Sequence, residues 1–352
     1  MNRGAGRMGT RNVGARPRTR RALSVVLWIV SVPVLAWGAL ALHFAGPRPV
    51  RLADALAAGV VLIGLAILLW VRPALRTLVA LAILAVVFSG WWATVLPRND
   101  RDWLPDVAET ATAVLAGDRL TIHNLRNFDY RSETDFTPHW ETRTFDLARL
   151  EGLDLFMSYW GSPSIAHTIM SWSFTDGQHL AISIETRKEH GEEYSTVAGF
   201  FRQYEIYYVV ADERDVVRLR TNHRVPREQV YLYPLRTPLV RARAILLDYV
   251  ASINGLAAQP EFYNAATGNC TTTIRTHVYH IGAAMPWDWR IVANGYMDQM
   301  LYEHGVIDTS RPFVAVRQAS LINSRAEPAD QDPEFSARIR QGIVRPPLIV
   351  LP

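Results

Sequence analysis

Three long apolar runs open the chain. Ala22 to Phe44 is broken only by Ser24, Ser31 and His43, and it exceeds the roughly 20 residues that a helix needs to cross a hydrocarbon core. Leu52 to Val71 and Leu75 to Leu96 follow at once, divided by Arg72, Pro73 and Arg76. Successive runs of this kind predict membrane helices, because in lipid each segment must satisfy its own backbone hydrogen bonds. The first run is longer than the core of a secretory signal and ends in no small-residue cleavage pattern, so it reads as a retained anchor. Trp28, Trp37, Trp70, Trp91, Trp92 and Trp103 stand mostly near the predicted ends, where aromatic rings favour the headgroup zone.

From Arg98 the pattern changes to that of a globular domain. Pro97 to Leu104 is a polar connector, after which short alternating runs predict strands over Leu120 to Asn127, Trp140 to Leu147 and Leu153 to Trp160. Ile165 to Phe174 and His179 to Arg187 predict a hairpin, since Asp176-Gly177 between them suits a tight turn. Glu205 to Val210 and Gln229 to Leu235 read as further strands, with a short helix over Glu213 to Leu219. Arg241 to Leu256 carries helical apolar spacing through Ala244, Leu247, Val250 and Ile253, and Asn269 to Ile281 predicts a second helix with Asn or Thr as its cap. Helices and a mostly antiparallel sheet in one domain make an α+β arrangement. The expected divisions are a basic tail over 1–21, three membrane helices over 22–96, a connector over 97–117, the domain over 118–322 and a charged, surface-lying tail over 323–352.

Charge then sets the orientation. The net charge of +4 over 352 residues is outweighed by seven arginines of the N-terminal tail, Arg3, Arg7, Arg11, Arg16, Arg18, Arg20 and Arg21. Without them the balance is slightly acidic, which argues against nucleic acid as a partner. A basic tail before an apolar run is retained in the cytoplasm. Three crossings then put everything after Arg98 outside.

One cysteine, Cys270, excludes an intramolecular disulfide and a multi-cysteine metal site. A free thiol outside the cytoplasm needs either burial or a use. Gly268 and Asn269 form a turn before it and a helix starts after it, so the thiol is expected at a helix N-terminus, where free N–H groups and the dipole favour thiolate. The same N–H groups suit an oxyanion. The competing reading is a buried small apolar residue. His167, set among the apolar residues Ile165, Ala166, Ile169 and Met170, is the candidate base. Glu185 across the hairpin is the candidate orienting carboxylate, with Arg187 beside it. Asn269 is a candidate oxyanion donor or a helix cap, and Tyr204, Arg220 and Arg187 are candidate oxyanion or substrate residues of the pocket. His277 and His280 suggest a metal pair, but no third ligand stands at a recognisable spacing, and neither a metal nor another cofactor is expected.

Several of these segments agree in order with one family. Arg101-Asp102-Trp103, the His167 and Glu185 strands, Arg218-Leu219-Arg220-Thr221-Asn222, Val230 to Leu235, and Tyr263-Asn264 through Asn269-Cys270-Thr271-Thr272 resemble the Lnb N-terminal periplasmic domain family over about the last 250 residues. The resemblance implies a permuted papain-like fold of the NlpC/P60 and lecithin:retinol acyltransferase kind, in which histidine precedes cysteine, as His167 precedes Cys270 here. It also implies a bacterial inner-membrane protein with its domain in the periplasm, and lipid acyl transfer. Cys270 would take an acyl chain from a phospholipid as a thioester, with His167 as base and then acid and Glu185 orienting the ring. The chain would pass to an acceptor such as the N-terminal amine of a lipoprotein. The namesake's membrane helices follow its domain, whereas the three here precede it. Two other functions fit the same residues: a cysteine peptidase or amidase acting on cell-wall peptide, and a non-catalytic envelope-binding domain with Cys270 buried.

Overall fold

The structure, a computed structural model, describes residues 16–282 and 287–348. The chain divides into two units, Met1–Leu96 and Pro97–Pro352. The basic tail before residue 16 and the last four residues lie outside the described part.

The first unit consists of α1 (Arg16–Ala45), α2 (Val50–Trp70) and α3 (Ala74–Thr94), each long and apolar enough to cross a membrane. Leu35, Leu42, Ala53, Ala57 and Leu68 are buried where the helices meet, whereas Leu62, Trp70 and Val86 face outward. Apolar side chains turned away from the helix contacts are what a hydrocarbon phase would cover.

The second unit is built on one sheet. In chain order its strands are β1 (Thr112–Ala116), β2 (Arg119–Arg126), the short pair β3 (Asp129–Tyr130) and β4 (Phe136–Thr137), β5 (Trp140–Asp146), β6 (Leu150–Tyr159), β7 (His167–Phe174), β8 (His179–Arg187), β9 (Glu205–Ala211) and β10 (Gln229–Pro234). The spatial order is β1-β2-β9-β8-β7-β6-β10, with β5 on β2, and β3 pairs only with β4. Pairing is antiparallel except for a single parallel contact between β2 and β9. The β7–β8 hairpin turns through Asp176 and Gly177, whose φ of 83° is one that glycine adopts without strain.

The middle strands are buried on both faces, so they read as nearly continuous apolar runs. On one face, Leu155, Met170, Trp172, Ile182 and Tyr208 pack under α5 (Leu239–Ala258), α6 (Cys270–His280), α7 (Met297–Glu303) and α8 (Phe313–Ser320). On the other, Phe156, Ile169, Ala181 and Val209 pack against α9 (Asn323–Ala326), α10 (Phe335–Ile339) and the short helix α4 (Glu213–Arg218), which continues into a wide π-helical turn, Leu219–His223.

The C-terminal stretch corrects the expectation of a surface tail. Phe335 and Ile339 are fully buried, and Arg340 donates to Asp154 at 2.7 Å and to Glu213 at 2.6 Å. Both carboxylates are buried, Asp154 on β6 and Glu213 at the start of the short helix. Burial alone would raise the Glu213 carboxyl, but the Arg340 guanidinium outweighs it and holds it at about 2. The charged composition of this stretch thus reflects partners supplied by distant segments.

Candidate active site

His167 is the first residue of β7 and Cys270 the first of α6. The register Ile169 opposite Ser183, carried on by two residues, brings Glu185 across from His167. Strand alternation places Ser183 and Glu185 on the same side of β8. His167 Nε2 lies 2.6 Å from Ser183 Oγ, and the serine hydroxyl donates to Glu185 Oε1 at 2.8 Å. The same carboxylate oxygen stands 3.5 Å from the ring nitrogen. Because Ser183 gives its proton to Glu185, its oxygen accepts from His167 Nε2–H. That fixes the tautomer and leaves Nδ1 for the thiol.

Arg220, from the π-helical turn, completes the group. Its Nη2 donates to Glu185 Oε1 at 2.8 Å and its Nη1 to Glu228 Oε2 at 3.0 Å. Glu228 is held in turn by the Ser158 hydroxyl and by Arg224. Burial would raise the Glu185 carboxyl, but Arg220 and His167 together hold it well below the usual carboxylate range.

The thiol feels the other end of the relay. Burial pushes the Cys270 thiol up, but the His167 ring, through a hydrogen bond and its charge, outweighs burial and, with the Thr168 main chain, brings it down to about 6. Burial and Arg220 push the His167 ring down, and the thiol and Glu185 outweigh them and raise it. The two shifts are of opposite sense, which favours a thiolate beside an imidazolium.

Helix capping opens the site. The Asn269 carboxamide oxygen accepts from Thr272 N–H at 2.9 Å, and the Thr272 hydroxyl accepts from Asn269 N–H at 3.0 Å, a reciprocal cap. The Asn269 NH2 group donates to Ala265 O. The carboxamide is therefore committed to the turn, and the Cys270 and Thr271 N–H groups are left without an intrahelical partner at the first turn of α6.

Asn294 joins the two halves. Its Oδ1 accepts from Ala166 N–H at 2.8 Å, and its Nδ2 donates to Ala166 O at 2.6 Å and to Thr271 Oγ1 at 2.6 Å. Ala166 precedes His167 and Thr271 follows Cys270, so one buried side chain sets the spacing of His167 and Cys270. The neighbouring Gly295 is required by this approach: a Cβ there would meet Pro163 O at 2.2 Å.

Two expected pocket residues are spent elsewhere. The Tyr204 hydroxyl donates to Glu193 O and accepts from Ser195 N–H, and Tyr204 is fully buried. Arg187 donates to Val107 O, Ala108 O and Asn99 Oδ1 and lies over the Trp103 ring, bracing the connector. Ser183, Thr168, Glu228 and Asn294 were not anticipated. For Ser183 a signal existed, since it shares a strand face with Glu185; Asn294 carried none, standing 128 residues from Ala166 and 23 from Thr271, and nor did Glu228, which stands 70 residues from Ser158.

No curated protein and no solved structure matches the chain. Residues 136–295 match the family model of the Lnb N-terminal periplasmic domain, and the matched segment holds His167, Ser183, Glu185, Arg220, Cys270 and Asn294.

Proposed function

We propose that the protein is a cysteine-dependent acyltransferase of the bacterial envelope, anchored in the inner membrane with its domain in the periplasm. The observation that carries this reading is the relay from Cys270 at the open end of α6 through His167 and Ser183 to Glu185 and Arg220. The match to a periplasmic domain family and three helices able to span a membrane support the location.

In the first half-reaction the Cys270 thiolate attacks an acyl ester carbonyl of a phospholipid. The Cys270 and Thr271 N–H groups receive the developing oxyanion. The tetrahedral adduct collapses as the His167 imidazolium gives its proton to the departing alkoxide, leaving a thioester and a lysolipid. In the second, His167 Nδ1 takes a proton from the acceptor amine as it attacks the thioester, and the thiolate leaves. Ser183 and Glu185 hold the ring through both proton transfers. The N-terminal amine of a lipoprotein is an acceptor of the required chemistry.

The test is the intact mass of the full chain after incubation with phospholipid vesicles. An acyl mass on Cys270 that hydroxylamine removes, absent from Cys270→Ala and lost at the transfer step in His167→Ala, is expected. No adduct, together with release of new amines from cell-wall peptide in the absence of lipid, would overturn the transferase in favour of a cysteine hydrolase. An unreactive thiol would leave neither.

A further inference from the structure

Far along α6 from Cys270, Asp248, His277 and His280 bring one ligand atom each to within 4.8 Å of one another. Asp248 belongs to α5, and the two histidines, three residues apart, project from one face of α6. His277 Nδ1 lies 2.6 Å and His280 Nδ1 3.1 Å from the same oxygen, Asp248 Oδ2. Two rings thus turn the same nitrogen toward one carboxylate. Around a tetrahedral ion with bonds of about 2.0 Å, ligand atoms stand about 3.3 Å apart. The two contacts to Asp248 Oδ2 need to lengthen by about 0.7 Å and 0.2 Å to reach that spacing.

The surroundings match what such a ligand needs. His277 is buried, its ring stacked on Tyr249 at 3.9 Å, and its Nε2 lies 2.7 Å from the Tyr208 hydroxyl on β9. A histidine that binds metal through Nδ1 carries its proton on Nε2 and donates it to an outer partner, and Tyr208 already occupies that place. On the opposite side the His280 side chain is 52% exposed and that of Asp248 24%, which gives an ion a path in and leaves room for water as a fourth ligand.

We propose that Asp248, His277 and His280 bind a divalent transition-metal ion, zinc by their donor set, with Tyr208 as the outer-shell partner of His277. The role is positional. The ion clips α5 to α6, and the helix it clips begins at the nucleophile; seven residues separate Cys270 from His277, about 10 Å along the axis, so the ion does not touch the reacting atoms. Sequence spacing concealed the site because its carboxylate lies 29 residues from His277, on another helix.

The experiment uses the full chain in detergent, free of any polyhistidine tag and stripped with chelator, titrated with Zn2+ against a chromogenic competitor and separately with Co2+. One Zn2+ per chain is expected, with a four-coordinate Co2+ spectrum and a rise in unfolding temperature on addition of Zn2+. His280→Ala, at an exposed position that folding tolerates, and Asp248→Asn are expected to abolish both signals, and Tyr208→Phe to weaken binding by about 10- to 100-fold. Cys270→Ala is expected to bind as the wild type does, so the result is independent of the proposed acyl chemistry. Binding well below one ion per chain, or binding that survives His280→Ala, would overturn the site and leave a hydrogen-bonded cluster.

Discussion

An ordinary cysteine keeps its proton to about pH 8.5, and burial without a partner would keep it higher still. Cys270 departs from this because His167 and Thr168 face it, and its folded value of about 6 lies below the unfolded one. The sign follows directly: the thiolate is populated above about pH 6 and lost as pH falls through it. Alkylation of Cys270 is therefore predicted to rise about tenfold per pH unit up to an inflection near 6 and then level off. In His167→Ala the inflection moves to the alkaline side of 8, because burial remains and the imidazole does not. Acyl transfer in the same variant is expected to fall by about 10²- to 10⁴-fold, the usual worth of a general base. An inflection that stays near 6 in His167→Ala would show that the ring does not set the thiol.

At the scale of elements, most of the secondary structure was readable because periodicity is local. The strand over His179 to Arg187 and the helix starting at Asn269 and Cys270 appear where alternation and capping residues put them. The C-terminal stretch was misread for a physical reason: arginines in an isolated segment look solvated, and only Asp154 and Glu213, far away in the sequence, reveal that Arg340 is buried against partners. Phe335→Ala is accordingly predicted to destabilise the second unit by about 3–5 kcal/mol, the cost of a large cavity in a core. Val344→Ala, at a residue that is 50% exposed, is expected to stay within about 0.5 kcal/mol. Urea unfolding of the full chain followed by tryptophan fluorescence distinguishes the two, and equal effects would return the segment to the surface.

At the scale of the whole molecule, three spans are an odd number, so the chain ends fall on opposite sides of a membrane that all three cross. With the arginine-rich tail inside, a reporter active only in the periplasm and fused after residue 97 should be active, and the same reporter fused after residue 71 should be silent. The reverse pattern would place Cys270 in the cytoplasm and remove the envelope substrates from consideration. What the sequence determined by itself are features written within a few turns or a single hairpin: the apolar spans, the strand alternation, and the thiol at the head of a helix. The tertiary structure alone decided who stands beside that thiol. Arg220 on Glu185, the Asn294 clasp and the Asp248 that meets two histidines all join different elements of the chain, and a contact closed by folding leaves no periodic trace in the chain that makes it.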